Sequence, residues 1–327
     1  MRRSDGFTLI ELLVATAVMV VVVLYLLQTF TVQHRTYEVV DQVSEAQQNL
    51  RAVAALMEHE VRHGGFMVPE GAAVCVVDVT NGPDMIFVSD ADAIDPTGEL
   101  EPDLGARVTA GFNNDSTPDT LTVDSTTLDA LAFYDNDGDG TNDTDFQVNG
   151  GAILVDADDQ GRGRACGAVT AATATTVAVD FQNGIGTTVN PQELVVVPAH
   201  VYRVDTATLQ LTRDGRLLAP DIEDLQVALF YDLDEDGGVD ANEYPGSGGS
   251  EPVFNPAAST WTDALLREVR INFVARSRAE DPNREYDQGA FQATGNRAAP
   301  AGTDRFRRRV HQATIRIRNV GGRDIGI

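Results

Sequence analysis

The sequence predicts an α+β protein, with one long N-terminal helix followed by a head of antiparallel β-strands. Residues 7–27 form an apolar stretch with a single acid, Glu11, inside it, and no proline interrupts residues 7–63. From Val74 onward, short segments alternate apolar with polar residues between clusters of Gly, Pro, Asn or Asp, as half-buried strands joined by turns do. Plentiful glycine and an aromatic content of 6% suit loop-rich β structure better than packed helices.

The apolar stretch is long enough to span a bilayer, which takes about 20 residues at helical rise. Arg2 and Arg3 precede it and hold that end in the cytoplasm by the positive-inside rule. Beyond residue 27 the helix continues, because Val39, Val43, Ala46, Leu50, Val53 and Met57 recur at spacings of four and three. Glu38, Asp41, Gln42, Glu45, Gln48 and Arg51 then face away from that stripe. Gly64-Gly65 supplies the stop. The first half of the rod is expected in lipid and the second under the head.

A carboxylate inside a lipid-length helix is costly without a partner, so Glu11 reads as functional. A secretory signal would have a shorter apolar core and a small-residue cleavage site after it. Here the natural cut lies before the apolar run. Cleavage after Gly6 frees the α-amine of Phe7 and leaves Glu11 four residues along the same helix. The run Gly6-Phe7-Thr8-Leu9-Ile10-Glu11-Leu12-Leu13 resembles the leader of the type IV prepilin family. That resemblance implies removal of residues 1–6 by a prepilin peptidase, N-methylation of Phe7 and assembly into a fibre through the apolar segment. In a bundle of such helices, Glu11 would compensate the positive terminus of a neighbouring subunit.

The chain thus divides into a leader (1–6), a transmembrane and stem helix (7–64) and a head (65–327). Strands are expected at 74–79, 85–88, 121–123, 152–155, 176–179, 194–197, 201–204, 209–212, 225–231, 269–274 and 311–317. A second likeness sits near the C-terminus: Leu225-Gln226-Val227 leading to Phe230-Tyr231 and an Asp-rich turn, then Trp261, Arg267-Glu268-Val269-Arg270-Ile271, Ala275-Arg276-Ser277, Arg308-Arg309 and Ile317-Arg318-Asn319. In this order they resemble the PilW group of minor pilins, leaving 91–150 as an expected insertion. The family implies a type IV pilin-like fold and other minor and major pilins as partners. It also implies an inner-membrane location with the head in the periplasm, then a cell-surface pilus.

Acids outnumber bases 50 to 24, for a formal charge of -26, and every base is arginine. Phosphate binding needs a positive surface, so nucleic acid is not expected as a partner of the head. Arg305, Arg307, Arg308 and Arg309 form one basic cluster, expected to pair with nearby carboxylates or an adjacent subunit. An acidic chain repels itself unless salt or bound cations screen it, and Ca²⁺ is one solution.

Asp232, Asp234, Asp236, Gly238, Asp240 and Glu243 fit the twelve-position calcium loop. Acids stand at positions 1, 3, 5 and 9, Gly237 makes the turn, Gly238 offers a carbonyl and Glu243 closes the cage. Strand-like flanks and Pro245-Gly246 make this a calcium-stapled loop between strands rather than an EF-hand. A weaker copy comprises Asp135, Asp137, Asp139, Thr141 and Asp143, with Asp145 substituting where Phe146 takes the last position. Cys75 and Cys166, two thiols expected outside the cytoplasm, favour a disulfide over two buried thiols.

His59-Glu60-Val61-Arg62-His63 matches the zinc-protease helix motif, but Arg62 is charged, no third ligand stands out, and the segment ends the stem. Catalysis is therefore not expected. Three readings remain: a pilus-assembling minor pilin, a pseudopilin of type II secretion, and a calcium-dependent tip adhesin.

Overall fold

The computed structural model describes residues 8–79, 81–89, 93, 104–113, 118–129, 131, 144–157, 163–185, 194–232, 239, 266–283, 286, 288–289, 295, 297–298 and 302–320. Helix α1 (Leu9–His63) is one unbroken rod of 55 residues. The expected stripe is its buried side: Ala46, Leu50, Val53 and Met57 are buried, and Val39 and Val43 are half-buried. Gly64 ends the rod, its N–H donating to the carbonyls of Glu60 and Val61.

A 3-10 turn (Glu70–Ala72) leads into β1 (Val74–Val77), β2 (Met85–Val88), β3 (Ala106–Ala110) and β4 (Pro118–Val123). A short helix α2 (Ser125–Asp129) precedes β5 (Gly151–Asp156), β6 (Arg164–Ala172), β7 (Thr176–Phe181), β8 (Leu194–Asp205), β9 (Gln210–Arg213) and β10 (Arg216–Pro220). The C-terminal third carries β11 (Ile222–Tyr231), β12 (Leu266–Arg276), β13 (Gln288–Gly289), β14 (Thr303–Asp304) and β15 (Arg308–Arg316). The expected strands are all present, in a fold of a long N-terminal helix and an antiparallel β head.

Strands β8, β3, β4, β7, β6 and β5 pair antiparallel in that order, and β5 pairs back onto β8. They close a six-stranded barrel. Closure buries one face of every strand, so Val108, Leu121, Val177, Val179 and Val196 fill its core while alternate residues of β4 face water. Gly167 of β6 is required by close approach, since a Cβ there would lie 2.2 Å from the Asp180 carbonyl oxygen. The barrel spans β3 to β8, drawing strands from within the segment 91–150 and from beyond it.

Strand β8 was expected as two strands broken around Pro198. It is one strand of 12 residues whose first half belongs to the barrel and whose second half pairs with β2 and β9. The proline is tolerated because pairing with β3 is made at Val195 and Val196, short of it. Its carbonyl accepts the Ser89 hydroxyl at 2.7 Å.

The small sheet of β1 and β2 lies between two cores. Cys75, Val77 and Phe87 point into the barrel core. Val74, Val76, Ile86 and Val88 point the other way, into a core shared with Leu50, Val53 and Met57 of α1 and Ile271 and Phe273 of β12. Alternation along two short strands thus joins barrel to stem. The Cys75–Cys166 disulfide adds a covalent tie between β1 and β6, across a sequence separation of 91.

The turn between β1 and β2 caps the outer edge of β11. Asp84 is fully buried there, accepting the N–H of Val79 at 3.0 Å and of Val227 at 2.9 Å, while its own N–H donates to the Leu225 carbonyl at 2.8 Å. Burial pushes its carboxyl up to about 7, against the lowering effect of the two N–H donors and with help from Asp78 and Asp224. An unfolded Asp titrates near ~4, so between about pH 4 and pH 7 the folded chain holds a proton that the unfolded chain has released. Stability from this group is therefore lost as pH rises through that window. Urea titrations of the full chain in micelles at pH 5 and 7.5 should show a smaller loss for Asp84→Asn than for the native chain. An equal loss would remove Asp84 as the source.

Candidate functional site

The N-terminal half of α1 presents its apolar side chains to the surroundings: Leu9 is 79% exposed and Phe30 66%. Among the described residues it is the one helix long and apolar enough, by length and composition, to cross a membrane. Gly6 and Phe7, the expected processing residues, lie outside the described residues. Thr8 caps the helix in extended conformation, and Glu11 closes a capping box with it. Glu11 Oε2 accepts both the N–H and the hydroxyl of Thr8 at 2.9 Å, and the Glu11 N–H donates to Thr8 Oγ1 at 3.3 Å. The same carboxylate expected to meet a neighbouring subunit thus satisfies its own helix terminus in the single chain. The Thr-x-x-Glu spacing that encodes this was legible in the sequence and was missed.

The other end of α1 carries a polar lock that the sequence did not announce. Glu60 is 2% exposed, on the same face as Met57 and Val61. Its carboxylate accepts the Tyr202 hydroxyl of β8 and pairs with Arg213 Nη1 of β9 at 3.0 Å. Asp214 stands next to Arg213, accepting the Val201 N–H at 2.9 Å and the His200 Nδ1–H at 2.6 Å. Asp214 and Gly215 both have positive φ, 52° and 73°, forming the two-residue turn that an Asp-Gly pair favours between β9 and β10. Arg213, just before that turn, reaches Glu60 of the helix, while Asp214 within it reaches back to β8.

The lock also engages the middle residue of the His59–His63 motif. Glu60, which would serve as general base, is turned into the head, while His59 is exposed on another face of α1. Among the described residues no group of three or more His, Cys, Asp or Glu is placed to hold a metal ion.

Of the first expected calcium loop, Asp232 is described: it is fully buried at the end of β11, and Arg267 Nε donates to its Oδ2 at 2.9 Å. Asp234, Asp236, Gly238, Asp240 and Glu243 lie outside the described residues. Of the second loop, Asp145 is described, its N–H donating to the Leu131 carbonyl at 2.8 Å. Asp135, Asp137, Asp139, Thr141 and Asp143 lie outside the described residues, as does Trp261.

Three of the four clustered arginines are engaged with carboxylates of the same chain. Arg305 pairs with Glu280, and Arg307 Nε with Asp281 Oδ2 at 2.5 Å. Arg308 is 6% exposed and forks between Glu223, at 2.6 and 3.1 Å, and Asp304, at 2.6 Å to each oxygen. These bonds hold the Asp304 carboxyl below the usual range and raise the Arg308 guanidinium. Arg309 donates to the Arg308 carbonyl at 3.0 Å.

Removing the cation from a buried pair leaves an uncompensated charge, at a cost of about 3 kcal/mol or more. Arg213→Met should therefore lower the urea midpoint of the full chain in micelles markedly. Glu60→Gln in that background should recover much of the loss, because it removes the stranded charge while keeping an acceptor for Tyr202. Additive losses in the double variant would contradict the pairing.

Two families match the chain. The Type IV Pilus-assembly protein W model matches residues 187–319, and the Prokaryotic N-terminal methylation motif matches residues 1–27. No curated protein matches it. Among solved structures, the Type IV-like pilin TTHA1219 from Thermus thermophilus is 13% identical, over 53% of this chain and 88% of its own. Its TM-score of 0.20 is too low to support an argument about the fold. The two family matches, at opposite ends of the sequence, bear out the resemblance carried by its motifs: the N-terminus is similar to the prokaryotic methylation motif and the C-terminal region to the Type IV Pilus-assembly protein W family.

Proposed function

We propose that this chain enters or primes a type IV pilus as a minor pilin, working by assembly rather than catalysis. The division of α1 carries this reading. One continuous helix is bare and apolar along its first half, and along its second half is sunk into the head's core. Such a rod needs lipid before assembly and other helices of the same kind after it. The partners are other minor and major pilins, with a prepilin peptidase acting first at Gly6-Phe7 in the inner membrane. The head would stand in the periplasm and later at the cell surface.

Within this reading, Ca²⁺ stiffens the loop 232–243. Its spacing supports that; the buried Asp232 at the start of the loop is paired with Arg267 through Oδ2, so an ion in the first position would share that carboxylate with the guanidinium. The loop 135–145 would be a second, weaker site.

Sheared fibres from cells expressing the chain test the proposal. Mass spectrometry should find the mature protein starting at an N-methylated Phe7, and Glu11→Leu should reduce its amount in fibres to about a tenth or less, since an uncompensated terminus in lipid costs at least ~1.4 kcal/mol. A different start, or normal incorporation of the variant, would contradict it. Loss of fibres in a deletion strain would favour priming, and normal fibres lacking adhesion would favour the adhesin.

A further inference from the structure

His59 and His63 are left over from the assembly reading, and their geometry supports a separate site. They lie four residues apart near the end of α1, so they share a face, with ring centroids 4.5 Å apart and planes tilted by 37°. His59 is exposed and His63 partly so. The His63 Nδ1–H donates to the His59 carbonyl at 2.7 Å, which leaves Nε2 as the lone-pair nitrogen of a neutral ring. Metal-bound imidazoles are oriented in this way, with the other ring nitrogen fixed on a backbone carbonyl.

The backbone under the rings is pinned by the head. Asn319 Nδ2 donates to the His63 carbonyl at 2.9 Å, and the Arg318 N–H donates to the Arg62 carbonyl at 3.2 Å. Arg62, between the two histidines in the sequence, is paired with Glu58, four residues back on the helix. The C-terminal end of a helix also favours a cation, through its aligned carbonyls.

We propose that His59 and His63 form a two-imidazole clip for one divalent transition-metal ion of the Cu²⁺, Ni²⁺ or Zn²⁺ class, with water completing the coordination. Imidazole suits these ions, whereas oxygen cages suit Ca²⁺, so the clip and the acidic loops take different metals. With Glu60 turned into the head, the site binds an ion without the general base that hydrolysis would need.

The metal-free full chain in detergent micelles, with excess Ca²⁺ present, can be titrated calorimetrically with Cu²⁺, Ni²⁺ and Zn²⁺ in turn. One ion per chain is expected, with Cu²⁺ bound tightest and binding weakened on acidification as protons compete for the ring nitrogens. His59→Ala and His63→Ala should each weaken binding about tenfold or more while leaving helical circular dichroism unchanged. His34→Ala, an exposed histidine of the same helix beside Glu38, should bind as the native chain does. Undiminished binding by His63→Ala, an equal loss in His34→Ala, or no bound ion in the native chain would overturn the clip. None of these outcomes bears on fibre assembly.

Discussion

A buried carboxylate sets how the stem meets the head: Glu60, on the inward face of α1, must have Tyr202 and Arg213 opposite it, or its charge is stranded in an apolar core. Ala46, Leu50, Val53 and Met57 supply the apolar packing around it, which is less directional than a hydrogen bond. The polar contact is directional and tolerates little. Further bonds repeat the constraint along the rod, with Arg278 on Glu45 at 2.8 Å, the Ala279 N–H on Gln42 at 3.2 Å and Asn319 on the His63 carbonyl at 2.9 Å.

Once the second half of the helix is fixed in this way, the first half has no partner within the described part of its own chain. The apolar residues from Leu9 to Phe30 stand on a rigid extension of a packed element, so their exposure is imposed by the fold. The barrel sits on the opposite side of the β1–β2 sheet from α1, joined through alternating side chains and the Cys75–Cys166 bridge.

The helix was legible because an apolar run over residues 7–27 passes without proline into a stripe at spacings of four and three from Val39 to Met57, and strands such as β2 and β12 because apolar residues fill the first and alternate with polar ones through Val269, Ile271 and Phe273 in the second. Strand β3, Ala-Arg-Val-Thr-Ala, and strand β6, Arg-Ala-Cys-Gly-Ala-Val-Thr-Ala-Ala, were not, since their small and polar residues become strand only because the barrel closes on them. The expected gap between 197 and 201 is strand because the β3 neighbour ends short of Pro198, which the sequence does not show. The leader motif was legible as a local string. The lock was not, because Glu60 and Tyr202 are 142 positions apart and each looks ordinary alone.

Hydrogen exchange of the full chain in detergent micelles tests most directly whether stem and head are one body. The lock predicts that amides of residues 46–61 exchange as slowly as those of β12, since both belong to the same core and would open together. Exchange over 46–61 that is orders of magnitude faster than in β12 would show a stem that moves independently of the head, and would contradict the account.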